Sequence, residues 1–282
     1  MKIYIVIPAH NEEENIGKTL RSLTDQSLLP GKIVVVNDNS SDKTAEIVQS
    51  FIKTHTFISL VETTSSEDHL PGSKVIRAFQ QGLNSMDENY DILCKFDADL
   101  IFPHNYLKTI SQHFREDKQI GMAGGFCTVL KNQEWVTEKL TGSDHIRGAL
   151  KAYRKECFIQ IGKLKPAMGW DTADELLAQY HGWKIKTDPE LLVKHLKPTT
   201  STYNTSSKYK QGEAFYRLRY GFCITLIASA KLAFLKKDPS LFKDYIAGYW
   251  KAKKEKRPFL LNEEEGRFVR KFRWKKMKEK LF

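Results

Sequence analysis

Along the first hundred residues, unbroken apolar runs alternate with stretches whose apolar positions recur every three or four residues. "IYIVIP" (3–8), "KIVVVND" (32–38), "FISLVET" (57–63) and "YDILCKF" (90–96) have the short, continuous apolar character of strands buried on both faces. Between them, "NEEENIGKTLRSLTDQ" carries Ile16, Leu20 and Leu23 at helical spacing, and "SSDKTAEIVQSFIKT" opens on a Ser/Asp cap. "GSKVIRAFQQGLNSM" sets Val75, Ile76, Phe79 and Leu83 on one side of a third helix. Strands separated by helices predict an α/β fold: a mainly parallel, Rossmann-like sheet with right-handed crossovers and helices on both faces. Ligands of such sheets sit beyond the carboxyl ends of the strands. The segments leaving those ends are "PAHNEE", "NDNSSD" and "FDAD", all polar and acidic, so they are expected to converge on one crevice.

Beyond residue 115 the alternation breaks. "IGMAGGFCTVL" (120–130) predicts a strand whose Gly124–Gly125 pair allows close backbone approach. "KAYRKECFIQIG" (151–162) predicts a short helix, "WDTADELLAQYHGW" a helix stopped by Gly182, and "ELLVKHL" a strand. Helical patterns then cover 207–235, 239–254 and 262–280, punctuated by Pro198, Pro239 and Pro258. The expected division is an α/β domain over 1–205 and a helical, basic, amphipathic region over 206–282.

Charge changes the picture mainly at the C-terminus. The net charge is +11, and from Gly248 to Phe282 there are 13 Lys/Arg against 5 Glu, or +8 of that excess. Such a balance calls for an acidic partner: nucleic acid, an anionic membrane surface or a phosphorylated substrate. Cys94, Cys127, Cys157 and Cys223 are widely spaced with no CxxC pair, which reads as ordinary thiols in a reducing compartment. "MKIYIVIPAHNEEE" becomes charged too soon for a signal peptide, and no apolar run reaches the roughly 18–20 residues of a spanning helix. A cytoplasmic protein is expected.

"KFDADLIF" (95–102) raises the sharpest chemical question. Asp97 and Asp99 follow a buried strand at once, although strands disfavour Asp and like charges so close repel. In an extended chain, residues i and i+2 point to the same side, where two carboxylates suit Mg²⁺ or Mn²⁺ together with phosphate oxygens. Asp residues also open turns and cap helices, so the pair alone leaves both readings open. Asp38, ending the second strand, is placed to bind a ribose hydroxyl or a base edge, unless it caps the following helix. The first loop, with Pro8, His10 and Glu12, lacks the glycines that cradle phosphate, which favours side chains gripping a nucleoside.

Taken together, "IVIPAHNEEENI", "IVVVNDNSSDKT" and "CKFDADLIFP" resemble the family 2 glycosyltransferases of the GT-A fold, inverting enzymes with a DXD motif. The resemblance in motif order spans about residues 1–195. It implies that Pro8, His10, Glu12 and Asp38 contact the nucleoside of a nucleotide sugar, UDP-linked in the first instance and GDP-linked in the second. Asp97 and Asp99 would serve the ribose and a divalent metal, Mn²⁺ or Mg²⁺, with His195 as a third metal or diphosphate ligand. Lys74, or Arg77, matches a basic residue near the nucleotide. The family's catalytic base, usually in a Glu-Asp pair, falls on Asp171, with Trp170 where Glu is common. Asp174 and Glu175 remain alternates.

The implied acceptor is a glycan or lipid-linked hydroxyl. "YGFCITLIASAKLAF" (220–234) and the tail "RFVRKFRWKKMKEKLF" (267–282), with Phe268, Phe272, Trp274 and Met277 among its basic residues, predict peripheral contact with an anionic membrane; a buried helix and a packed tail are the competing reading. Two other functions compete. A sugar-phosphate nucleotidyltransferase usually carries a Gly-rich basic loop after the first strand, and "PAHNEEENIG" is acidic. A basic nucleic-acid-binding module would need a reading motif, and none is seen, so no nucleic acid is expected as partner.

Overall fold

The computed structural model describes residues 1–64, 72–138, 144–197 and 208–279. Four apolar runs form β1 (Ile3–Ala9), β2 (Lys32–Asp38), β3 (Ile58–Thr63) and β4 (Ile92–Phe96), alternating with α1 (Ile16–Thr24), α2 (Thr44–Ile52) and α3 (Ser73–Asn84). They pair in parallel in the order β3-β2-β1-β4. The chain steps outward from β1 to β3 and then returns across β1 to β4. With right-handed crossovers, that reversal puts α3 on the face opposite α1 and α2. β1 and β2 are buried almost throughout, which is why their sequences are apolar without alternation.

Next come β5 (Leu100–Ile101), α4 (Tyr106–Glu116), β6 (Ile120–Lys131) and β7 (Glu134–Thr137). β8 (Leu150–Arg154), α5 (Lys155–Gln160), α6 (Trp170–Tyr180) and β9 (Lys184–His195) complete the α/β part. β8 runs antiparallel between β4 and β6, β6 pairs in parallel with β9, and β5 closes the order β3-β2-β1-β4-β8-β6-β9-β5. The expected close approach at Gly124–Gly125 is real. A Cβ on Gly125 would lie 2.0 Å from the Leu191 carbonyl oxygen, where the β6–β9 register shifts.

Three expectations need correction. Residues 151–154 are strand, not helix: Lys151 and Tyr153 are buried in the middle of the sheet, and only α5 after them is helical. Ala98 and Asp99 lie in a turn between β4 and β5 rather than on an extended chain. The single helix expected over 207–235 is two, α7 (Lys208–Arg217) and α8 (Gly221–Leu235), because Arg219 (φ 54°) and Gly221 (φ 72°) adopt left-handed backbone.

α9 (Ser240–Lys254) and α10 (Glu263–Lys278) follow, the latter opened by an Asn262–Glu265 capping box. The main hydrophobic core runs on into these helices through Phe215, Leu218, Tyr220, Ile224, Tyr249 and Val269. α7 and α9 cross at backbone contact. A Cβ on Gly212 would sit 1.8 Å from the Tyr245 oxygen, and one on Gly248 would sit 2.0 Å from the Tyr209 oxygen. Gly212→Ala is therefore expected to force these helices apart and to lower stability by about 1–3 kcal/mol. A fall in the urea midpoint checks this; an unchanged midpoint refutes the close crossing.

Candidate active site

The acidic turn after β4 is built from α1. Thr19, fully buried, donates its hydroxyl to the Ala98 carbonyl (2.7 Å) and accepts the Leu100 N–H (3.0 Å). On the far side, the Asp97 N–H donates to the Ala149 carbonyl (2.9 Å), and the Leu196 N–H donates to the Asp99 carbonyl (2.9 Å). These bonds bring Asp97, Asp99 and His195 together, each with one ligand-type atom within 4.8 Å of the others. His195 Nε2 lies 3.2 Å from Asp99 Oδ2, and both residues are buried. Its other nitrogen, Nδ1, is buried with no hydrogen-bond partner among the described residues. Two carboxylates and an imidazole, one of whose buried nitrogens has no partner among the described residues, make a donor set that fits a divalent cation.

The two aspartates differ in their partners. Asp97 pairs with the ammonium of Lys95, which is almost wholly buried and also donates to the Gly148 carbonyl (3.0 Å). Part of the repulsion between Asp97 and Asp99 is thus offset inside the protein.

The loops after β1 and β2 are stitched together beside this turn. The His10 ring donates from Nδ1 to the Asp38 carbonyl (2.6 Å). The Asn11 N–H donates to Ser40 Oγ, and the Ser41 N–H donates to Asn11 Oδ1, each at 2.9 Å. The Glu12 N–H donates to Thr44 Oγ1 (2.8 Å). Asn11 and Asn39 both take left-handed backbone, which Asn tolerates better than most residues. Lys197, two residues beyond His195, pairs with Glu12 at 2.8 Å and ties the end of β9 to the first loop. Pro8 pairs with Val36 at the end of β1, and Asp38 is buried at the end of β2. Lys74 lies half-buried in the first turn of α3, and Arg77 is exposed one turn on.

α6 supplies the other carboxylates. Its first turn follows Gly169, whose φ of 81° starts the helix abruptly. Asp171 keeps about a third of its side chain exposed (36%). Asp174 and Glu175 are buried and committed. Lys151 donates to Asp174 Oδ1 (2.7 Å) and Glu175 Oε1 (3.2 Å), and the Tyr153 hydroxyl donates to Asp174 Oδ2 (2.6 Å). Burial alone would discharge Lys151, yet the two carboxylates outweigh it and hold the ammonium above its ordinary pKa. Glu175 is held below the usual carboxylate range: Lys151 and His145 outweigh its own burial. Trp170 lies with its ring facing both Lys95 Nζ (5.4 Å to the centroid) and Lys151 Nζ (5.7 Å).

His145 is the site residue that sequence reasoning missed. It bonds Glu175 at 2.8 Å and lies 3.9 Å from Asp171, thirty and twenty-six positions along the chain, so no local pattern marks it.

Residues 4–156 match the family described as Glycosyl transferase family 2, more than half of the chain. The chain belongs to that family. Over 100 residues, or 35% of this chain, it is 37% identical to the probable glycosyltransferase YdaM of Bacillus subtilis, covering 23% of that protein. The chain spans half or less of the length of the leading curated relatives it matches. Its fold resembles a mannosyltransferase of Pyrobaculum calidifontis in complex with GDP-Man and Mn²⁺, with TM-score 0.60 and 18% identity over 95% of this chain and 78% of that one. It also resembles residues 1–349 of Staphylococcus aureus TarS in complex with UDP-GlcNAc, with TM-score 0.57 and 18% identity over 80% and 66%. These structures establish the mixed α/β GT-A fold.

Removing Lys151 should expose how tightly the α6 cluster is balanced. Lys151→Met is expected to cost about 3–5 kcal/mol by leaving two buried carboxylates without their cation. Denaturant unfolding checks it; a loss below about 1 kcal/mol would show that the ammonium is not the partner on which they depend.

Proposed function

We propose that the protein is a metal-dependent inverting glycosyltransferase that moves a sugar from a nucleotide sugar, UDP-linked, to a hydroxyl of a glycan or lipid-linked acceptor. The observation that carries this reading is the Asp97–Asp99–His195 cluster, with Asp171 set across the Gly148–Ala149 segment from it. Gly148 O accepts from Lys95, the partner of Asp97; Ala149 O accepts the Asp97 N–H; and a Cβ on Gly148 would lie 3.2 Å from that of Asp171. One dipeptide therefore touches both ends of the reaction.

Pro8, His10, Glu12 and Asp38 hold the nucleoside, with Lys74 as the nearby cation. Asp97 leans towards the ribose, while Asp99 and His195 hold Mn²⁺ or Mg²⁺. When bound, that cation supplies neutralisation of the charge that grows on the diphosphate. Asp171 takes the proton from the acceptor hydroxyl as that oxygen bonds to the anomeric carbon. The bond from this carbon to the diphosphate breaks, the electron pair leaves on the diphosphate, and the anomeric configuration inverts. Asp174 and Glu175 are poor bases here, since both are buried and bound to Lys151.

A thermal-shift panel of UDP- and GDP-sugars with and without Mn²⁺ tests the donor, because ligand binding raises apparent stability. Asp99→Asn is expected to remove the Mn²⁺-dependent part of the shift. Asp171→Asn is expected to keep the donor shift and lose turnover by about 10²–10⁴-fold. Near-normal turnover in Asp171→Asn would refute the base, and a donor shift indifferent to EDTA would refute the metal.

The acceptor reading brings in the membrane. No helix is long and apolar enough to cross a bilayer among the described residues. The tail does not present the apolar face expected of it. Phe268, Phe272 and Met277 pack against the core, only Trp274 of that set is exposed, and Leu281 and Phe282 lie outside the described residues. The exposed stripe is on α8 instead: Phe222, Leu226, Ile227, Phe234 and Leu235, extended by Trp250 of α9 at 5.5 Å from Phe222. Lys231, Lys236 and Lys237 border it, and Lys253 lies 4.7 Å over the Trp250 ring. Apolar side chains rimmed by lysines suit peripheral binding to the anionic, cytoplasmic face of a membrane. Co-sedimentation with phosphatidylserine-containing vesicles should fall with added salt and drop about tenfold or more in Phe234→Glu/Trp250→Glu. Absence of binding at low salt would refute it.

A further inference from the structure

His145 stands between two carboxylates of α6. Its Nδ1 lies 2.8 Å from Glu175 Oε2, and its Nε2 lies 3.9 Å from Asp171 Oδ2. A carboxylate at Nδ1 accepts only, so this nitrogen carries the proton and Nε2 is the edge turned to Asp171. Glu175 is itself fixed from two other directions, by the Ile146 N–H (2.9 Å) and by Lys151 (3.2 Å). The ring cannot turn without giving up an anchored, charge-assisted bond.

Among the described residues, the charged groups facing it are Glu175 and Asp171 from α6 and Lys151 from β8. We propose that His145, as imidazolium, is a positioning residue that holds the Asp171 carboxylate in the direction from which it takes the acceptor's proton. This rests on the assignment of Asp171 as the base. A separation of 3.9 Å exceeds a hydrogen bond, so the attraction is coulombic and restrains the carboxylate without tying up its lone pairs. His145 adds no bond-making step. Asp171 remains the group that receives the proton.

Burial alone would discharge His145, but the Glu175 hydrogen bond and the two negative charges outweigh it, and its pKa stands above the ordinary imidazole value. The cation therefore persists below that raised pKa and is lost as pH rises through it. Once neutral, the ring keeps its Glu175 bond and releases Asp171.

Two measurements test this. The first is the NMR titration of the His145 ring in the wild type and in Asp171→Asn. The midpoint is expected to fall in the variant, and an unchanged midpoint overturns the ion pair whatever the kinetics show. The second is release of nucleotide diphosphate across pH 6–9, using as donor the nucleotide sugar that most stabilises the protein in the thermal-shift panel. Wild-type kcat is expected to decline as His145 titrates. His145→Gln, uncharged but still able to donate to Glu175, is expected to show about tenfold lower kcat near pH 6.5, an unchanged donor KM, and no decline over that range. A wild-type kcat that rises through the titration, or a His145→Gln enzyme with wild-type kcat and profile, overturns the proposal. If Asp171→Asn itself turns over normally, it is the base assignment that fails; if Asp171→Asn is dead and His145→Gln unaffected, only the positioning role fails.

Discussion

The site depends on two lysines that ought to repel each other. Lys95 of β4 and Lys151 of β8 are register partners on adjacent antiparallel strands, and both are almost completely buried. Like charges opposite one another in a sheet are unfavourable, and a buried ammonium without a counter-charge costs several kcal/mol. Each lysine is balanced by its own carboxylates, Lys95 by Asp97 and Lys151 by Asp174 and Glu175, and the ring of Trp170 faces both ammonium groups. The balance works only if the β4–β8 register, the turn after β4 and the first turns of α6 are all in place together. Charge compensation thus holds the acidic turn and the α6 helix in one arrangement.

This answers the question posed by Asp97 and Asp99. The pair left a turn and a cation both open, and both are present: Asp99 lies in a turn, while Asp97 meets a cation that is the protein's own Lys95. Asp99 faces His195 instead, whose second nitrogen has no partner among the described residues. One aspartate is therefore compensated by the fold, while the other opens onto the donor set that fits a metal. The same logic suits Trp170, whose ring faces the two ammonium groups. With Asp97, Asp174 and Glu175 already neutralising the lysines, an aromatic face satisfies the remaining space without another buried negative charge.

Much of this architecture was legible in the residues, and the failures have physical causes. β1, β2 and β4 announce themselves because strands buried on both faces have no polar alternation, and the loops at their carboxyl ends are polar and acidic for the same topological reason. β8 was hidden because "LKAYR" places Lys151 and Arg154 in a strand, and buried lysines look like solvent-facing ones until their carboxylates are found more than twenty residues away. The break between α7 and α8 was hidden by Arg219, a residue that rarely adopts left-handed backbone. His145 carried no signal at all, since its partners belong to a helix that begins 25 residues later. The tail misled in the opposite sense. Its aromatic residues resemble a membrane face in sequence, but Phe268 packs on Tyr180 of α6 at 5.4 Å.

That last contact gives the C-terminal helices a part in the site. α6 is held on one side by Lys151 of β8 and on another by α10, through the Phe268–Tyr180 pair, while Lys276 of α10 pairs with Asp144, the neighbour of His145. α10 in turn grips the α7–α8 junction, where Arg270 donates to the Arg219 carbonyl (2.9 Å) and Arg273 donates to the Tyr220 hydroxyl (2.6 Å). A continuous chain of contacts therefore runs from the exposed apolar stripe of α8, through α10, to the helix that carries Asp171 and the segment that carries His145. On the proposed reading, this chain relates the surface that meets the bilayer to the group that meets the acceptor hydroxyl. A lipid-linked acceptor requires that relation, because its reactive hydroxyl lies at a height above the membrane that the enzyme does not choose. Packing the tail inward, with Arg267, Lys271, Lys275 and Lys278 left at the surface, would on that reading keep the proposed base at a fixed height above the α8 face; a tail lying free on the bilayer would leave that height unset.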